Sequence, residues 1–135
     1  MTYQFRSAAQ RHIRDAEHLH TEQRLANAGH LFGFACECAL KAFLEREGVA
    51  FDQPGPWWQH VDELWEHFIA YMRTREGARW AAKLPQENPF TNWSISDRYR
   101  DSQNIVLTDL PLWESGARKA CRLLTEARLD GYLPS

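Results

Sequence analysis

Asn27, His30, Glu37 and Lys41 are polar residues inside an otherwise apolar stretch, NAGHLFGFACECALKAFLE (residues 27–45), and together with Phe34 they fall at alternating steps of three and four. On a helix turning by about 100° per residue such steps stack side chains along one edge. An amide, an imidazole, a carboxylate and an ammonium in line have the donors and charges for a phosphate-binding pocket. The same groups on a central helix require partners even without a ligand, because burying them unpaired is costly. Glu37 and Lys41 stand at i,i+4 with the acid first, the favoured order for a helical ion pair. The stripe therefore predicts a polar network, with a structural salt bridge and a ligand site as its two readings.

Other chemistries find less support. His18 and His20 diverge on a helix, and His60 and His67 are two turns, about 10 Å, apart, too far to share an ion. Glu63 and His67 supply two ligands with nothing to complete the set, so no metal and no cofactor is expected. Cys36, Cys38 and Cys121 lie in helical, apolar contexts where a thiol packs as a small hydrophobe. No glycine-rich phosphate loop of either common type is present. Arg75, Arg79 and Lys83 at i, +4 and +8, and the pair Arg118 and Arg122, are candidate RNA contacts or solvated faces. Trp57-Trp58 has the shape to stack on a base or to cap the bundle.

The elements that must position these residues are helices. Phe5, Ala9, Ile13, Ala16 and Leu19 recur at helical spacing within residues 4–23. The next helix follows almost without a break, and Leu25, Ala28, Leu31, Phe32, Ala35, Cys38, Ala39, Ala42 and Phe43 give it one broad apolar face. Ala26, Gly29, Gly33, Cys36 and Leu40 form a second face of mostly small residues, open to close approach, and Gly48 suits the helix end. FDQPGPWWQ (51–59) is a loop. Val61, Leu64, Trp65, Phe68, Ile69 and Met72 predict a third helix running to about Gly77, followed by a short piece, ARWAAKL. Residues 85–92 read as loop, Trp93 to Ser96 as extended, and 97–106 as helical. Asp109 is the expected N-cap of a last helix through Trp113, Ala117, Ala120, Leu124 and Ala127 to Gly131. With no strand pairing and no repeat, the expectation is an all-α, single-domain bundle of four to five helices spanning 1–135.

Composition narrows the function classes. A chain of 135 residues with 44% hydrophobic content supports one core, and a net charge of −2 gives no global attraction to nucleic acid or anionic membrane. Arg outnumbers Lys thirteen to three, which has two readings, codon bias or a use for guanidinium, the better group for paired carboxylates and phosphates. Three cysteines cannot all pair internally, so a reduced, cytoplasmic protein is expected. The first residues lack the apolar core of a signal peptide, and Glu37 and Lys41 interrupt the longest apolar run, so no membrane span is expected.

In this order the chain resembles a HEPN domain, the small helical family named for higher eukaryotes and prokaryotes nucleotide binding. The resemblance rests on a first helix of AxRHIRDAEHL type, on FACECALKAFL in the second, on His60 opening the third as HVDELW, and on the Arg98-Tyr99 of DRYRD (97–101). It covers nearly the whole chain and implies a homodimeric bundle that recognises a nucleotide or RNA, of the kind found in toxin–antitoxin or defence systems, with a nucleotidyltransferase-like antitoxin as a partner. On this resemblance Arg98, Tyr99, Arg100 and His60 join Glu37, Lys41, His30 and Asn27 as ligand- or RNA-binding candidates. Arg98 is the cross-helix partner expected to hydrogen-bond Glu37, with Lys41 and His30 beside it. Ribonuclease members carry an arginine followed four to six residues later by a histidine in a late helix, and this chain departs from them there. No histidine follows His67, and Gln103 and Asn104 cannot shuttle a proton near neutral pH. Arg6/His12, Arg11/His18, Arg14/His20 and Arg24/His30 have the spacing in the wrong helices. The expectation is binding without strong ribonuclease activity and with no catalytic residue assigned. The alternatives are a metal-independent ribonuclease using His60 or His30 near Arg98, and an interaction module whose stripe is structural.

Overall fold

In the computed structural model, which describes residues 3–134, five α-helices follow one another with no strand among the described residues. They are α1 (Phe5–Thr21), α2 (Leu25–Arg46), α3 (Val61–Met72), the single turn α4 (Ala78–Ala81) and α5 (Leu110–Asp130). The all-α bundle follows from 3.6-residue periodicity: each long helix buries the residues that recur at three and four, such as Val61, Leu64, Trp65, Phe68, Ile69 and Met72 on α3. Three residues separate α1 from α2, and Gln23 takes a left-handed φ of 61° to reverse the chain. Gly48 at φ 97° and Gly131 at φ 90° end α2 and α5 in the conformation that glycine adopts without a Cβ penalty.

Helix α2 is the hub. It packs against α1, α3 and α5, and against a 3-10 turn at Ile95–Tyr99. Its small face is met by rings as well as by a helix: a Cβ at Gly29 would lie 2.9 Å from the Trp113 ring of α5, and one at Gly33 would fall inside the Trp93 indole. Trp93 also donates its Nε1–H to the Gly29 carbonyl at 3.1 Å, a buried bond that fixes the loop before α5 to α2.

Four local expectations need correction. Residues 97–106 are not an α-helix, and the extended run expected from Trp93 to Ser96 ends at Ser94: two 3-10 turns follow, Ile95–Tyr99 and Ser102–Asn104, capped by the side chains of Ser94 and Asp101. Short polar side chains that bond their own backbone here compete with helix propagation. The third helix stops at Met72, five residues short of Gly77, and α4 is a separate turn. Asp109 makes no capping bond; its carboxylate accepts instead from Asn92 Nδ2 at 2.7 Å, tying the loop to the start of α5.

Candidate functional site

Glu37, midway along α2, is the one charged residue among those described that is buried backbone and side chain together, 8% exposed as a whole residue. Its Oε2 accepts from Lys41 Nζ at 3.1 Å, one turn further on, as the i,i+4 spacing predicts. Its Oε1 lies 2.9 Å from Nδ1 of His60. A carboxylate only accepts, so Nδ1 carries the proton and Nε2 is left for another partner. His60 occupies the N-cap position of α3 with extended backbone and no capping bond, which leaves its imidazole free to turn toward α2. The bond to Glu37 raises the His60 pKa above its ordinary 6.5, against the opposing pull of partial burial.

These three residues form one wall of a cavity of about 350 Å³. Phe5, Phe51 and Trp58 make its apolar side, Trp58 being 46% exposed, and Lys41 Nζ sits 5.7 Å from the centre of the Phe51 ring. On the other side of Glu37 the stripe continues as a ring cluster. Phe34 touches His12, His30, His60 and Trp93 at centroid distances of 5.9, 4.8, 6.2 and 5.8 Å. His30 stacks on Trp93 at 5.2 Å and 18°, and its Nε2 is buried without a hydrogen-bond partner. Burial is the main cause that lowers the His12 and His30 pKa values, so the imidazoles around Phe34 are split: His60 favours the cation, His12 and His30 the neutral ring.

The structure thus brings together Glu37, Lys41 and His60, with His30 beyond Phe34, and it does not deliver the expected Arg98–Glu37 pair. Arg98 is exposed and lies 4.7 Å over the ring of Tyr99, itself 79% exposed. The reason is the 3-10 turn, which buries none of its residues and leaves Arg98 in solvent, while His60 and Lys41 already engage both Glu37 oxygens. Arg100 pairs with its own neighbour Asp97 at 3.2 Å, and Asn27 is exposed with no side-chain bond among the described residues. Sequence reading undervalued Trp58, Phe51 and Trp93. For Trp93 the available signal was on the receiving side, in Gly29 and Gly33 one turn apart.

The remaining candidates resolve locally. Arg79 pairs with Asp130 at 2.8 Å and Lys83 with Glu126 at 3.7 Å, while Arg75 lies on Tyr71, so that stripe is largely engaged within the protein. Trp57 packs edge-on against Tyr71. Burial pushes the Cys38 thiol up to about 11 and the Cys121 thiol to about 12, which leaves neither as a thiolate near neutral pH. Among the described residues no group of three or more His, Cys, Asp or Glu side chains is placed to hold a metal ion, and no helix is long and apolar enough to cross a membrane. Compared with protein-family models, with curated proteins and with solved structures, the chain gives no match.

Proposed function

We propose that this protein binds a nucleotide or RNA end in the cavity between Trp58 and the Glu37–Lys41–His60 cluster. The observation that carries the reading is the pairing, in one cavity, of an exposed indole with an ammonium and an imidazole that Glu37 orients. An aromatic face stacks on a base, and the Lys41 ammonium meets a phosphate with the His60 ring beside it, while Glu37 holds both in place. The HEPN resemblance of FACECALKAFL and HVDELW supports the same ligand class, and with it a homodimer working in a toxin–antitoxin or defence setting beside a nucleotidyltransferase-like partner. Calorimetric titration with AMP, ATP and short RNA is the test. Binding that weakens at least tenfold in Lys41→Ala and in Trp58→Ala is the expected result, and equal binding by both variants overturns the reading.

A second reading, metal-independent RNA cleavage, is favoured by one observation: the Glu37 carboxylate orients His60 through Nδ1 and leaves Nε2 for proton transfer. Incubation of labelled single-stranded RNA with chelator present separates the two. Cleavage that is lost in His60→Ala assigns an enzyme, and intact RNA with retained binding assigns a binding protein.

A further inference from the structure

Of the residues that line the Trp58 cavity, only Glu37, Lys41 and His60 can carry charge near neutral pH; the rest are aromatic rings and one amide. Glu37 divides its carboxylate between the other two, Oε2 to Lys41 at 3.1 Å and Oε1 to Nδ1 of His60 at 2.9 Å. The Lys41 ammonium is thereby offset by its own ion-pair partner. The net charge of the wall is then the charge of His60, nil for the neutral ring and positive for the protonated one. That difference is weakly screened, because the Lys41 and Glu37 side chains are only 12% and 10% exposed. The tautomer fixes where the proton goes. Nδ1–H already donates to Glu37, so a neutral His60 presents a lone pair on Nε2, and an added proton settles there. The lone pair repels a phosphate oxygen, whereas Nε2–H of the cation donates to it in a charge-assisted bond.

We propose that His60 sets the anion selectivity of this cavity: a phosphate enters together with one proton, which His60 takes from solvent on Nε2, and it leaves as that proton is lost. The inference rests on the nucleotide reading of the cavity and deepens it by naming the group that switches the site on. The charged groups that face His60 are Glu37 and Lys41 from α2 and Asp62 from α3, with His30 of α2 next in reach, while His12 of α1 faces Glu37. Burial holds His12 and His30 below the ordinary imidazole value, so of the three rings His60 is the last to lose its proton as pH rises. A bound phosphate stabilises the cation and raises the His60 pKa further. Affinity is therefore full below the free-protein value and falls by up to about tenfold per pH unit between it and the liganded one.

The test is calorimetric titration with adenosine 5′-monomethylphosphate. This diester keeps its single charge between about pH 5.5 and about pH 8.5, whereas the second ionisation of AMP, near ~6, would imitate the effect. Repeating the titration in buffers of different ionisation heat counts the protons taken up. The wild type is expected to take up close to one proton per diester where affinity is falling, and to lose at least about tenfold in affinity across the alkaline half of the range. Glu37→Gln leaves Lys41 without its counter-charge, so it is expected to bind the diester at least about tenfold tighter than the wild type at about pH 8.5. Weaker binding there makes Glu37 merely structural and overturns the charge balance proposed. His60→Gln is expected to bind without proton uptake, and uptake that persists assigns the proton to another group and overturns the proposal. Should that variant fail to fold, NMR of the wild-type ring decides, because the His60 midpoint must rise when the diester is added. Diester binding at constant affinity with no uptake overturns the proton coupling and leaves the nucleotide reading standing. No binding of the diester or of AMP at any pH overturns both.

Discussion

Glu37 and Glu47 are the same residue type at the middle and the end of one helix, about 15 Å apart along it, and they do opposite things. The Glu47 side chain, 7% exposed, accepts from the Tyr132 hydroxyl and from the Gly77 N–H at 3.0 Å, while Arg46 stacks on the Tyr132 ring at 4.2 Å. Those partners come from the end of α5 and the turn before α4, and they are used up in closing that end of the bundle. Its effect reaches the Tyr132 phenol, whose pKa burial and the Glu47 bond push above the ordinary value. Glu37 instead holds a histidine whose side chain is 45% exposed and borders a cavity. A buried carboxylate whose partners are spent inside the protein is a lock; one whose partner still faces outward leaves a candidate site.

The largest expected effect is at the lock. Glu47→Leu leaves a phenol and a backbone N–H without an acceptor and should lower stability by about 3 kcal/mol in urea unfolding, at roughly 1–3 kcal/mol per stranded group. Nucleotide affinity of the folded protein should not change. Next is Gly33→Ala, whose methyl group meets the Trp93 indole and should cost about 2 kcal/mol by overpacking. Here stability and nucleotide affinity should fall together, because the displaced indole also supports the ring cluster behind Glu37.

At the site itself, Glu37→Gln keeps the shape and removes the charge. We expect the NMR titration midpoint of His60 to drop toward 6.5, with less than about 1.5 kcal/mol lost on the scale of one hydrogen bond. An unmoved midpoint would separate His60 from Glu37 and return the site to the status of the lock. The pH profile sharpens the same contrast. The His60 pKa is raised, so its bond to Glu37 stabilises the fold fully below 6.5 and is lost as pH rises through the raised value. The His12 and His30 pKa values are lowered, so their contribution is present above 6.5 and is lost as pH falls through the lowered values. Together these three groups favour greatest stability near 6.5, and Glu37→Gln should flatten the alkaline limb of a urea-midpoint series while slightly steepening the acid limb, because Glu37 also raises the His12 pKa. The smallest effect is expected for Arg98→Ala, within about 0.5 kcal/mol in the same assay, because its guanidinium is exposed and pairs with no carboxylate among the described residues.

That last value shows where sequence reading runs out. The bundle was legible because helical periodicity and the left-handed glycines at 48 and 131 are local signals. The Glu37–Lys41 bond was legible for the same reason, being four residues apart on one helix. The third member was not: Arg98 and His60 were both available, and the choice depends on the path of two irregular segments, 51–60 and 93–109, that carry no periodicity. His60 won because it begins a regular helix packed on α2, whereas Arg98 lies in a 3-10 turn with no buried residue to orient it. Asp109 stands at the expected N-cap position, but its side chain does not cap, since Asn92, seventeen positions earlier, claims its carboxylate.

The bond from Trp93 to the Gly29 carbonyl also orders events in time. Helices α1 and α2 are separated by three residues and can pair as a hairpin while the rest of the chain is still searching, whereas Trp93 must close a loop of 64 positions before its indole finds the glycines. Docking of that ring then falls late on the folding route. Weakening it is then expected to speed unfolding more than it slows refolding, which a comparison of both rates in Gly33→Ala checks.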